Sequence, residues 1–180
     1  MFRLIPAVVA VAAFVAVGCA GLSRPARVAT ELPSAPAPAP EDQAGAAARL
    51  LELHNAQRAR AGLDPMILDD RLSAAALVQA RDCARRDRLT HHGSDGSGPG
   101  ERIARAGVAW SRCAENAAQQ PRPPRGWPGD PRTPEWAMEG WMKSRGHRAN
   151  LLGPYQRMGA AFADADNGTR YWVVVFANPR

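Results

Sequence analysis

Five consecutive apolar residues near the C-terminus, Trp172-Val173-Val174-Val175-Phe176, place the strongest limit on how this chain can fold. A strand sends successive side chains to opposite faces, so a strand without polar alternation must be covered on both. The sheet that contains it therefore lies between two other layers. Residues 158–164 read as a second strand, joined to a strand over 170–177 through the turn signal Asp166-Asn167-Gly168. The other patterned segments are helical. Residues 46–61 carry Leu50, Leu51, Leu53, His54 and Gln57 at helical spacing, and Gly62 stops them. Asp69 or Asp70 caps a helix over 71–88, with Leu72, Ala76, Ala80 and Cys83 on one face. A short helix over 101–106 follows the glycine-rich loop 90–100. After a proline- and arginine-rich loop over 119–130, Thr133-Pro134 opens a third long helix, which runs to about Ser144 and ends at Gly146. Helices with a small antiparallel sheet make an α+β layered domain.

The first 45 residues have a different composition. Arg3 precedes the apolar run 4–17, which is shorter than the roughly 20 residues needed to cross a bilayer and reads as an export signal. Ala16-Val17-Gly18-Cys19 resembles a bacterial lipoprotein box, although a leucine is usual where Ala16 stands. Residues 1–18 are thus expected to be a signal peptide and Cys19 the lipid-bearing first residue of the mature protein, on the extracytoplasmic side of a membrane. An ordinary cleaved signal and a retained anchor are the alternatives. Residues 19–45 read as a linker, with Pro33-Ser34-Ala35-Pro36-Ala37-Pro38-Ala39-Pro40 held near polyproline II. It serves as a stiff spacer or is a tail without a spacing role. Residues 46–180 form the domain.

The formal charge is +6, and Lys143 is the one lysine among 23 basic residues. The arginines are interleaved with acids, as in Arg81-Asp82 and Arg85-Arg86-Asp87, so most are read as solvated surface and nucleic acid is not an expected partner. The net positive charge favours anionic surfaces, and the chain is expected to act as a monomer. With Cys19 assigned to the signal, Cys83 and Cys113 remain in an exported domain. They are expected to pair as a disulfide; two buried thiols are the alternative.

The chain has no phosphate-binding glycine loop, no Gly-x-Ser-x-Gly elbow, no His-Glu-x-x-His and no Cys-x-x-Cys. Its histidines are His54, His91, His92 and His147. His54 lies within an amphipathic helix and reads as a packed or capping residue. His91 and His147 each lie where a helical segment gives way to a glycine-containing turn, which leaves one side of a ring open. With Glu115 they could bind a divalent cation or form a hydrogen-bonded pocket, but spacing does not show that the three meet.

Several segments together resemble the CAP superfamily (cysteine-rich secretory proteins, antigen 5 and pathogenesis-related 1 proteins; the SCP-like extracellular domain), in its bacterial branch. They are 53–62, from Leu53-His54-Asn55 to Gly62; Thr90-His91-His92-Gly93; Ala114-Glu115-Asn116; Gly146-His147-Arg148-Ala149-Asn150-Leu151; and Tyr171 to Ala177. The resemblance implies a three-layer α-β-α sandwich around a small, mainly antiparallel sheet. It also implies a cavity lined by two histidines and two glutamates that can hold a metal, often zinc. His91, Glu115 and His147 match three of these positions, and Ser144 stands in the cavity where no second glutamate is found. A hydroxyl cannot replace that negative charge, so any zinc is expected to be weakly bound. The 119–130 loop is expected to reach the cavity rim.

Three functions follow. The first is a membrane-tethered, non-catalytic binding module of the cell envelope, with Arg122, Arg125, Arg132, Arg145 and Arg148 favouring an anionic polymer or protein partner. The second is a metal-assisted hydrolase of peptide or wall substrate, with His91, Glu115 and His147 as candidate catalytic residues. The third is a purely structural His/Glu cluster.

Overall fold

A computed structural model describes residues 40–180, with side chains from Asp42 onward. The signal, Cys19 and most of the linker lie outside the described residues. The order is α1 (Pro40–Arg60), β1 (Ile67–Leu68), α2 (Asp70–Arg86), α3 (Pro99–Arg105), β2 (Trp110–Gln120), α4 (Pro134–Lys143), α5 (Arg145–Leu151), β3 (Arg157–Asp164) and β4 (Arg170–Pro179). Among the described residues no helix is long and apolar enough to cross a membrane.

The strands are ordered β1-β3-β4-β2, with β1 parallel to β3 and the other pairs antiparallel. β4 is central, and its two sets of side chains enter two separate cores. Tyr171, Val173, Val175 and Ala177 pack with Leu72, Ala76, Ala80 and Cys83 of α2 and Ile103 of α3. Trp172, Val174 and Phe176 pack with Leu50 of α1 and Met138 and Trp141 of α4. The chain is therefore an α+β fold of three layers, as the unbroken apolar run requires.

Three elements depart from the sequence reading. The first helix begins at Pro40 rather than 46. Proline suits a first helical turn, where an N–H would lack a partner in any case. β2 has no counterpart in the sequence pattern. It carries three alanines, two glutamines and one asparagine, which favour strands weakly, and it is held by pairing with β4 from Trp110↔Pro179 to Gln120↔Arg170. The third long helix runs to Ser144 as expected, but Gly146 does not close it: α5 starts at once after Ser144, with Gly146 inside it.

The expected disulfide is absent. Cys83 is fully buried, donates its thiol to the Thr90 carbonyl at 3.4 Å, and accepts from the Gln79 side chain. Cys83 thus holds the loop after α2, and Cys113 packs against the edge of the same core.

Candidate functional site

Glu115 lies on β2, the edge strand opposite β1. The alternation of a strand sends Glu115 to the same face as Cys113 and Ala117, which pack in the α2–α3 core, and Asn116 to the face of Ala114 and Ala118, which pack in the α1–α4 core. Adjacent residues on this edge thus address two different layers.

On the first face, α2 holds the loop that carries His91. The side chains of Gln79 and Cys83 donate to the Thr90 carbonyl, and Arg86 donates to the His92 carbonyl at 2.9 Å. Asp82 accepts from the Ser94 amide at 2.9 Å and from its hydroxyl at 2.7 Å. His91 Nδ1 then donates to Glu115 Oε1 at 2.8 Å. Arg102 of α3 donates through Nη2 to Glu115 Oε2 at 2.7 Å and to the His91 carbonyl at 3.1 Å, and through Nη1 to the Ser97 carbonyl at 2.7 Å. The side chains of Glu115 and Arg102 are each 1% exposed, against 13% for His91. Both carboxylate oxygens are engaged, and the imidazole is the part of this group that solvent can reach.

On the second face, α5 docks against the same edge. Asn116 donates to the His147 carbonyl at 3.0 Å, and Asn150 donates to Asn116 Oδ1 at 2.9 Å. Arg58 of α1 fixes the far end of α5 by donating to the carbonyls of Leu151 (3.1 Å) and Gly153 (2.7 Å). His147 is buried, and its Nδ1 has no hydrogen-bond partner among the described residues. Burial, and then the nearby His91, hold its pKa below the ordinary imidazole value. Ser144 is half-buried at the α4–α5 junction and makes no side-chain capping bond.

The structure therefore joins His91 to Glu115 directly and brings His147 within electrostatic reach of His91. Among the described residues no group of three or more His, Cys, Asp and Glu side chains is placed to hold a metal ion, and the carboxylate is already matched by a guanidinium. Two open grooves of about 470 and 450 Å³ lie elsewhere, and none of His91, Glu115, His147 or Ser144 lines either.

The loop after β2 is anchored at its two ends away from Glu115. Gln120 donates to the Pro131 carbonyl, and Arg132 donates to the Gly168 carbonyl at 2.6 Å, so the loop is tied to the β3–β4 turn. That anchorage is about 17 Å along β2 from Glu115, at ~3.4 Å per residue. Arg132 is also paired with Asp130, whereas Arg122, Arg125, Arg145 and Arg148 are exposed and make no ion pair with a described residue.

Residues 51–176 match the model of the cysteine-rich secretory protein family, CAP. The chain belongs to that family. Among curated relatives of this CAP protein, the uncharacterized protein YkwD of Bacillus subtilis (strain 168) is 27% identical over 118 residues, covering 65% of this chain and 42% of YkwD. The chain thus spans less than half the length of that relative. Among solved structures, an outer surface protein from Borrelia burgdorferi superposes with a TM-score of 0.62 at 19% identity, covering 74% of this chain and 92% of that one. An extracellular protein containing a SCP domain from Bacillus anthracis str. Ames gives 0.63 at 23% identity, covering 81% and 45%. At these identities the likeness is one of fold.

The His54-Asn55-x-x-Arg58 segment is structural. His54 is fully buried between the rings of Trp141 and Phe176, with Nδ1 at 2.6 Å from the Leu50 carbonyl. Asn55 bonds both backbone groups of Met66. Burial lowers the His54 pKa from 6.5 to about 4. Between these values the unfolded chain binds a proton that the folded protein refuses, so stability falls as pH drops through that window. At about 1.4 kcal/mol per pKa unit the loss is about 3 kcal/mol from His54 alone, and His147 adds to it with the same sign. Urea midpoints measured at pH 7 and pH 4.5 are expected to show the decrease, and His54→Gln should flatten it. A wild-type midpoint that does not move would refute the burial of a neutral imidazole.

Proposed function

We propose that this CAP protein is an exported, envelope-tethered module that binds an anionic envelope polymer without catalysing its turnover. The signal-like run 4–17 and Cys19 support export and tethering, from sequence pattern. The observation that carries the binding reading is a charge imbalance. The one carboxylate of the site, Glu115, is neutralised internally by Arg102, while Arg145 and Arg148 stand exposed on either side of His147 without acidic partners among the described residues. Unpaired guanidiniums at a surface attract polyanions and are well suited to bidentate phosphate or carboxylate contacts.

The test is co-sedimentation of the full chain with purified wall polymer over a salt series. Arg145→Ser/Arg148→Ser is expected to lose most of the binding and its salt dependence. His91→Gln should retain both. Equal binding by wild type and the double arginine variant would refute the reading, as would capture only by a protein component of the envelope.

The hydrolase reading has one feature in its favour. A buried carboxylate bonded to Nδ1 is the arrangement that orients an imidazole as a general base. The His91 ring bonds the Glu115 carboxylate rather than a serine or threonine hydroxyl, so the reading pictures attack by water. Release of wall fragments by wild type but not by His91→Gln would support it.

A further inference from the structure

We infer that Arg102 is the resident cation of the CAP site, meeting the charge of Glu115 where a divalent metal would otherwise do so, and that this single side chain keeps the His91–Glu115 pair free of metal. The argument rests on buried geometry and stands apart from the polymer-binding reading. A carboxylate with 1% of its side chain exposed needs a positive partner, because a buried uncompensated charge is costly. In a zinc site that partner is the ion, which takes one or both carboxylate oxygens and a lone pair from each imidazole. Here Oε2 receives Arg102 Nη2 and Oε1 receives His91 Nδ1–H, so an ion would meet a donor already seated on each oxygen and a guanidinium charge beside it, and His91 has only Nε2 to offer.

The guanidinium is also built in rather than swung in from solvent. Two main-chain carbonyls, those of Ser97 and His91, accept from it, and they belong to the loop that carries His91. Arg102 sits in the seven-residue α3, entered through Pro99 and closed by Glu101 Oε2 accepting from the Gly98 amide at 2.8 Å. Arg102 therefore joins three parts at once: the loop, the short helix and the edge strand. A metal would have to displace a cation held by three hydrogen bonds and leave it buried without its counter-charge.

Removing the guanidinium should reverse the preference. In Arg102→Gln the buried Glu115 loses its cation, and a divalent ion that binds the folded state would restore the balance and raise stability by mass action. Zn²⁺ and Co²⁺ titrations of the full chain, by calorimetry and by thermal unfolding, test this. Wild type is expected to show no saturable binding and no change in Tm. Arg102→Gln should bind about one ion and gain several degrees, and both effects should vanish when His91→Ala is added. Arg102→Lys, which keeps a cation, should behave as wild type and remains informative if the glutamine variant does not fold. Stoichiometric binding by wild type that Glu115→Gln abolishes would overturn the inference. So would failure of a folded Arg102→Gln to bind, since the guanidinium would then not be what excludes the ion.

Discussion

Replacing Glu115 with alanine is expected to cost about 3–5 kcal/mol, the range for breaking one side of a buried ion pair. The loss comes less from the contacts removed than from what stays behind. Arg102 cannot turn to solvent, because its guanidinium is held by the Ser97 and His91 carbonyls with 1% of the side chain exposed. Without the carboxylate it is a buried charge facing only carbonyl dipoles. Glu115→Gln should cost less, since an amide oxygen still accepts. The diagnostic measurement is the cycle with Arg102→Met. If the pair is coupled, Glu115→Gln/Arg102→Met will be more stable than the sum of the single losses predicts, by about 1 kcal/mol or more in urea unfolding. Strict additivity would mean that the two side chains are held independently and that the ion pair does not organise the site.

That pair also marks where sequence reading stopped. The central strand was legible because Trp172 to Phe176 has no polar alternation, and both cores follow from that fact. The main helices were legible from their apolar spacing and from Asp69 and Thr133 as caps. β2 was not, because its side chains carry little strand preference and its ladder with β4 is a tertiary property. Arg102 was missed for a related reason. An arginine on a short charged helix belongs to the surface on statistics alone, and only the fold shows that a carboxylate on an unrecognised strand draws it inside. His91, Glu115 and His147 were candidates by residue type and position beside turns, and only resemblance to the CAP pattern placed them in one cavity. Spacing could not have joined an imidazole to a carboxylate 24 positions away across a helix and a strand.

Gly159→Ala is expected to be the most damaging single methyl that can be added to the sheet, costing at least about 3 kcal/mol. Gly159 lies in β3 opposite Val175, directly beneath the start of α2. A Cβ there would stand 2.5 Å from Leu72 Cβ and closer still to the Ser73 amide nitrogen and the Leu72 carbonyl carbon. Two of these are backbone atoms, so no rotamer change relieves the clash and α2 must lift as a unit. Lifting α2 withdraws Leu72, Ala75 and Ala76 from the core and strains the bonds by which Asp69 and Ser73 hold β3. The effect should also reach the site, because Gln79, Asp82, Cys83 and Arg86 on the same helix hold the His91 loop. Amide exchange in residues 90–97 should therefore accelerate in Gly159→Ala beyond the change seen in a surface variant of equal global stability. Ser73→Ala, which removes a 3.3 Å bond from the Ala160 amide and a 3.4 Å bond to the Asp69 carbonyl and adds no atoms, should cost only about 1–2 kcal/mol and leave that exchange near the wild-type rate. A stable Gly159→Ala protein with an unchanged loop would show that β3 and α2 do not approach as closely as this packing requires.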